Sequence, residues 1–257
     1  MKTEPLFSLQ DLRYAYPQGQ GGVRVDSWEI RPGDFTSLAG ANGSGKTTLL
    51  KLLAGQLVPD QGRILYRGRP LAGLPRQERA RHLSVVPQWA SLNFNYKARD
   101  LVLLGRTPYL KGFKRPSGQD YRIAQESMAR MNCAEFADSP LYRLSGGEVQ
   151  KCLLAMAMAQ QAEVLLLDEP GTYLDLRFHQ ELFALLRRIN QEGKTIILVS
   201  HDLGLAANYC RDLVLLKEGK ILAQGPLRTV LTPENLQRAY GLQAEVFTRG
   251  EKIYLAY

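Results

Sequence analysis

The nine residues Gly40-Ala41-Asn42-Gly43-Ser44-Gly45-Lys46-Thr47-Thr48 constrain this chain more than any other stretch. They match the P-loop pattern G-x-x-x-x-G-K-[ST]. Its glycines let the backbone curl until several N–H groups point into one small cavity, a shape suited to phosphate oxygens. Lys46 can reach β- and γ-phosphates there, and the Thr47 hydroxyl can ligate Mg²⁺. The pattern needs a strand before it and a helix after it. Residues 34–39 read as a short strand, and residues 47–54, with Leu49, Leu50, Leu52 and Leu53, read as a helix whose positive end faces the loop. A glycine-rich turn carrying GKT by chance arises on the order of once in a hundred such chains, and the flanks lower that further.

The chain has 257 residues, enough for one large domain or two small ones, and with 45% of them hydrophobic and 23% charged it can build a proper core. Residues 1–5 lack the apolar run of a signal peptide, and runs such as 164–167 and 196–199 are too short to span a bilayer. They suit strands buried on both faces. Cys133, Cys152 and Cys210 are widely spaced and suggest neither disulfides nor a metal site, which fits a reducing cytoplasm. His82, His179 and His201 have no ligand spacing. The net charge of +8 fits a solvated basic surface or attraction to anionic lipid headgroups. Nucleic acid is not expected, since no recognisable binding motif is visible.

Residues 6–16 and 23–30 read as a hairpin of strands around a turn at 17–22, and residues 62–68 and 83–87 as further short strands. Residues 98–137 look helical, interrupted by Gly105, Pro108, Gly112, Pro116 and Gly118. Beyond them a helix (148–160), strand (163–168), helix (177–191), strand (195–200), helix (203–210) and strand (212–216) alternate, the signature of a mostly parallel sheet covered on both faces. A helix at 233–240 and two short strands end the chain. The expected fold class is α/β. It comprises a P-loop NTPase core with a mostly parallel sheet (about residues 1–87 and 161–225, including an N-terminal antiparallel β subdomain), an inserted helical subdomain (about 88–160) and a C-terminal extension (about 226–257).

Two further elements narrow the chemistry. In Val164-Leu165-Leu166-Leu167-Asp168-Glu169, two carboxylates emerge at the C-terminal end of a buried strand, where ligands sit in open α/β sheets. Asp168 would hold Mg²⁺, and Glu169 would orient and polarise an attacking water. In Leu144-Ser145-Gly146-Gly147-Glu148, small residues precede a helix and make a second anion site. Ser145 and Glu148 also fit an ordinary capping box.

The order of these elements, with Gln88, Asp175 and His201, resembles the ATP-binding subunit of ABC transporters over residues 6–225. The resemblance implies an ATPase using ATP and Mg²⁺. Gly40, Asn42, Gly43, Ser44, Gly45, Lys46, Thr47 and Thr48 would bind nucleotide, and Tyr16 would stack on adenine, with Tyr14 a nearby competitor. Thr47, Gln88 and Asp168 would hold Mg²⁺, and Glu169, His201 and Gln88 would serve hydrolysis. Two copies would pair head to tail, with Ser145, Gly146, Gly147, Glu148 and Asp175 reaching the partner's nucleotide. Gly171, Lys151 and Met156 depart from the commoner residues.

The fragments at 100–109, 154–160 and 172–175 are similar to importers of iron–siderophore chelates, haem or cobalamin. That implies a transmembrane permease partner, a substrate-binding protein reached indirectly, and a place on the cytoplasmic face of the membrane. Molybdate or tungstate import, a soluble ABC ATPase acting on nucleic acid, and a P-loop kinase are the rival readings. Trp89, Phe94 and Tyr96, with residues 101–109, would line a groove for a permease helix or seal the helical insert against the core.

Overall fold

The computed structural model describes residues 4–19, 21–88, 96–110, 112, 114–171 and 176–256. Strands β1 (Phe7–Ala15), β2 (Gly22–Ile30) and β3 (Phe35–Ala39) lead into helix α1 (Lys46–Leu53). Strands β4 (Gln61–Tyr66) and β5 (Arg69–Pro70), helix α2 (Arg76–His82) and strand β6 (Leu83–Val86) follow. Three helices then succeed one another: α3 (Ala98–Leu104), α4 (Gly118–Arg130) and α5 (Gly146–Ala159). Beyond them come β7 (Val164–Asp168), α6 (Leu176–Gln191), β8 (Thr195–Val199), α7 (Leu203–Tyr209) and β9 (Asp212–Lys217). Strand β10 (Lys220–Pro226), helices α8 (Leu227–Val230) and α9 (Pro233–Tyr240) and the hairpin of β11 (Glu245–Arg249) and β12 (Lys252–Ala256) complete the order.

Ten strands form one sheet in the order β5-β4-β1-β2-β10-β9-β3-β8-β7-β6. Strands β9, β3, β8, β7 and β6 are parallel neighbours, while β1, β2 and β4 are antiparallel. Every residue of β3, β7 and β8 is buried, which is why these strands read as continuous apolar runs. Their alternate residues serve opposite faces. Leu165, Leu167, Ile196 and Leu198 pack with Leu101, Met128, Leu153 and Phe183, whereas Val164, Leu166, Ile197 and Val199 pack with Leu49 and Leu53 of α1 and with the antiparallel strands.

Four labelled elements have no counterpart in the sequence reading: the short β5 and α8, and, of more consequence, β10 and α2. Strand β10 returns antiparallel to β9 through a tight turn at Glu218 and Gly219, both with positive φ (49° and 77°). It joins the two halves of the sheet, and among the described residues it meets β2 in a single pair, Lys220 with Arg24. Helix α2 has no buried residue, so no apolar stripe marked it.

The helices α3, α4 and α5 are locked by residues 105–109. A Cβ on Gly105 would lie 2.3 Å from the Met156 carbonyl oxygen, so α3 ends with its backbone against α5. Arg106, 5% exposed, donates from Nε to Asp120 (3.0 Å) and from Nη1 to the Ala159 carbonyl (2.7 Å) and Gln161 (2.9 Å). Its guanidinium lies 4.0 Å from the Tyr109 ring centroid. The Tyr109 hydroxyl donates to the Gln160 carbonyl (3.0 Å), and the Gln160 side chain bonds the backbone of Ala80 and Leu83 and the Ser84 hydroxyl. Leu101, Val102, Arg106 and Pro108 therefore point inward rather than lining an open groove. Leu103 faces a surface depression with Tyr121 and Met128, and residues 89–95 lie outside the described residues. No helix among the described residues is long and apolar enough to cross a membrane.

Candidate active site

The loop between β3 and α1 is shaped by its glycines. Gly40 has φ 149°, and a Cβ there would sit 2.2 Å from the Leu216 carbonyl oxygen. Gly43 and Gly45 take φ of 75° and 100°, conformations that favour glycine. A backbone ladder fixes the loop: Arg24 N–H donates to Gly219 O (2.6 Å), and Gly219 N–H donates to Ser44 O (3.1 Å). Lys46 is 5% exposed, and its ammonium donates to the carbonyls of Gly40 (2.9 Å) and Ala41 (3.1 Å). Burial lowers its pKa, opposed by Glu169 and Asp168. Among the described residues the buried Ser44 hydroxyl has no hydrogen-bond partner, and α1 starts at Gly45 with no side-chain cap. These donors face a cavity of about 230 Å³ lined by residues 42–48, Gly21, Gly22, Tyr16 and Glu169. A donor-rich pocket on a helix N-terminus fits an anion such as a phosphate chain.

Tyr16, not Tyr14, lines this cavity. The Thr48 hydroxyl donates to the Tyr16 hydroxyl (3.4 Å), and Tyr14 stands edge-on to Tyr16 with centroids 5.0 Å apart. Tyr14 faces a neighbouring depression with Asp60 and Lys220. Gly21, Gly22 and Gly219 are site-forming positions that the sequence reading missed. A Cβ on Gly219 would meet Gly22 O at 2.4 Å, and the Glu218-Gly219 turn dipeptide was the available signal.

The ends of β6, β7 and β8 bring the polar groups together. Asp168 is 8% exposed and accepts from the Thr47 hydroxyl at 3.0 Å. Burial raises its pKa, which the Thr47 bond opposes. Glu169 follows in a left-handed conformation (φ 48°), its N–H on Val199 O at 3.1 Å. Its Oε2 accepts from Gln88 Nε2 (2.6 Å), and its Oε1 pairs with His201 Nε2 (2.5 Å). The Glu169 side chain is 12% exposed and that of His201 48%, so the carboxylate is nearly enclosed while the imidazole faces outward. Strained backbone with converging polar groups is typical of reactive sites. Thr47 and Asp168 are oxygen donors suited to a hard cation such as Mg²⁺. Among the described residues no cluster of three or more His, Cys, Asp or Glu could form a metal cage. Any cation here would depend on ligand oxygens as well.

Ser145 and Glu148 form the full capping box of α5: Ser145 N–H and Oγ donate to Glu148 Oε2 (2.7 and 2.9 Å), and Glu148 N–H donates back to Ser145 Oγ (3.4 Å). None of Ser145, Gly146, Gly147 and Glu148 lines the P-loop cavity of the same chain. Asp175 lies outside the described residues. At Gly171 a Cβ would fall 1.8 Å from His179 Nε2, so the imidazole takes the space a larger residue would need.

A family profile described as ABC transporter matches residues 23–172. A second profile, for an AAA domain, matches residues 138–207 and overlaps the first. The chain is 41% identical over 225 residues to a hemin import ATP-binding protein of Gloeobacter violaceus, covering 85% of this chain and 81% of the relative. It is 36% identical over 220 residues to the iron(3+)-hydroxamate import ATP-binding protein of Bacillus subtilis, covering 85% and 82%. Among solved structures, an inward-facing ABC transporter of metal-chelate type superposes with a TM-score of 0.85 at 28% identity, covering 98% of this chain and 96% of the other.

Proposed function

The chain belongs to the ABC transporter family, and on that premise we propose that it is the ATP-hydrolysing subunit of an importer whose cargo is a metal chelate: iron–siderophore, haem or cobalamin. The observation that carries the hydrolytic part is the convergence of Lys46, the Thr47–Asp168 pair and the Gln88–Glu169–His201 cluster beside one donor-rich cavity. The cargo class rests on the relatives' hemin and hydroxamate import.

Adenine stacks on Tyr16. The phosphates lie on the N–H groups of residues 42–48, with Lys46 transferring its ammonium from loop carbonyls to β- and γ-oxygens. Thr47, Asp168 and Gln88 would hold Mg²⁺, which would neutralise phosphate charge. Glu169 takes a proton from the attacking water, and His201 contacts the γ-phosphate while holding the Glu169 carboxylate in place. Ser145, Gly146, Gly147, Glu148 and Asp175 of a second, head-to-tail copy close the site. The proposed layout has a nucleotide-binding core (about 1–87 and 161–225), a helical subdomain (about 88–160) that docks on a permease at the cytoplasmic membrane face, and a C-terminal extension (about 226–257). A substrate-binding protein acts indirectly through the permease.

The test is uptake in a strain lacking this chain, with labelled iron–siderophore, haem, cobalamin and molybdate supplied separately. Loss of uptake of one of the three chelates, restored by the wild-type chain, is the expected result. Loss confined to molybdate, or no transport defect at all, refutes the cargo class.

A further inference from the structure

The hairpin of β11 and β12 stands outside the ten-stranded sheet, and nothing in the nucleotide chemistry described so far uses it. It is fixed to α7 in a specific way. The Asn208 side-chain amide donates to Ile253 O (2.9 Å), and Ile253 N–H donates to Asn208 Oδ1 (3.0 Å), so one side chain pairs with the strand as a neighbouring backbone would. The same Nδ2 donates to Gly204 O one turn back (2.7 Å). Ile253, 4% exposed, packs in one cluster with Leu203 and Ala207 of the same helix.

At its other end α7 is tied to the reaction centre. Asp202 caps it by accepting from Leu205 N–H (2.8 Å), and Asp202 N–H donates to Ser200 Oγ (3.1 Å). His201 lies between those two residues with its Nε2 2.5 Å from Glu169. A helix of seven residues does not hold itself together in water and takes its position from what it packs on. Asn208 lies roughly 9 Å along the axis from Asp202 at about 1.5 Å per residue, so a shift at the hairpin end moves the His201 end with it.

We propose that the C-terminal hairpin, acting through Asn208, braces α7 so that His201 meets Glu169 in the geometry hydrolysis needs; Asn208 is a positioning residue. This rests on the reading of His201 and Glu169 as hydrolytic groups.

The experiment is a double-mutant cycle on the full-length chain, with kcat, ATP KM and melting temperature measured for wild type, Asn208→Ala, His201→Ala and the double variant. His201→Ala should lower kcat by roughly 100-fold or more. Asn208→Ala should lower kcat roughly three- to tenfold with KM within about twofold, since small misplacements of a reacting group are costly. In the His201→Ala background Asn208→Ala should have no further effect. Unchanged kcat in Asn208→Ala, or an equal loss in both backgrounds, overturns the brace. Unchanged kcat in His201→Ala overturns the underlying reading instead, and the brace with it. Asn208→Asp keeps the acceptor for Ile253 N–H and loses the donor. It should give a smaller loss with the same dependence on His201, and if Asn208→Ala does not fold, additivity in the Asn208→Asp cycle overturns the proposal.

Discussion

Arg106→Met should destabilise the protein severely without touching the nucleotide site. The Arg106 and Asp120 side chains are 6% and 11% exposed, so the variant leaves a buried carboxylate without its cation. Removing one partner of such a pair costs about 3–5 kcal/mol. Asp120 keeps its bonds from Ser117 N–H (2.8 Å) and Oγ (2.6 Å), which pulls the figure down. The Ala159 carbonyl and Gln161 lose their donor, which pushes it back up. A net loss of about 4 kcal/mol lowers Tm by roughly 8–16 °C in a domain of this size. Ser117 hydrogen bonds first, then Arg106, hold the Asp120 carboxyl below its ordinary pKa. A depressed carboxylate stabilises fully above its unfolded pKa of about 3.9 and loses that contribution as pH falls through the folded value. The gap between wild type and variant should therefore be full at neutral pH and narrow as acid protonates Asp120. Calorimetric melts across pH check this. Arg106→Met combined with Asp120→Leu should recover much of the loss, because an apolar replacement of a buried pair is often near neutral. A single-variant loss under about 1 kcal/mol, or a double variant no better than the single one, refutes the reasoning.

Glu169→Gln should retain ATP binding while turnover falls by roughly two to four orders of magnitude, with ATP-bound dimers accumulating on size exclusion; near-normal steady-state ATPase activity would contradict the role. Tyr16→Ala should weaken nucleotide binding roughly five- to 150-fold, from about 1–3 kcal/mol of base stacking, and Tyr16→Trp should largely preserve it. Titration with a fluorescent ATP analogue measures both, and a larger effect from Tyr14→Ala than from Tyr16→Ala would transfer the role to Tyr14. Gly171→Thr should displace the His179 ring, since a Cβ there falls 1.8 Å from Nε2; Gly171→Thr with His179→Ala should melt higher than Gly171→Thr alone.

The parallel core was legible because its strands are buried on both faces. Runs such as Val164 to Leu167 carry no polar interruption, and the P-loop glycines announce conformations other residues avoid. What local pattern could not supply was strand order. Gln88 and Glu169 are 81 positions apart and meet because β6 and β7 are neighbours, an adjacency that no periodicity encodes. Family resemblance supplied that grouping, not spacing. Arg106 was opaque for a related reason. Arginine is ordinarily exposed, and its burial depends on Asp120 of α4, Ala159 at the end of α5 and Gln161 just beyond it. The segment at residues 105–109 thus served as a marker of relatedness in the sequence and is a joint in the fold.

Among the described residues a single residue pair joins β10 to β2, so in its strand pairing the great sheet is two plates meeting at a narrow weld. Tyr16 and Gly22 belong to one plate, Lys46 and Thr47 to the other, and one cavity touches all four. A ligand filling that cavity is a rivet through both plates. Amide exchange at Arg24, whose N–H crosses the weld to Gly219 O, would then report the rivet directly, slowing on binding even if no strand moves.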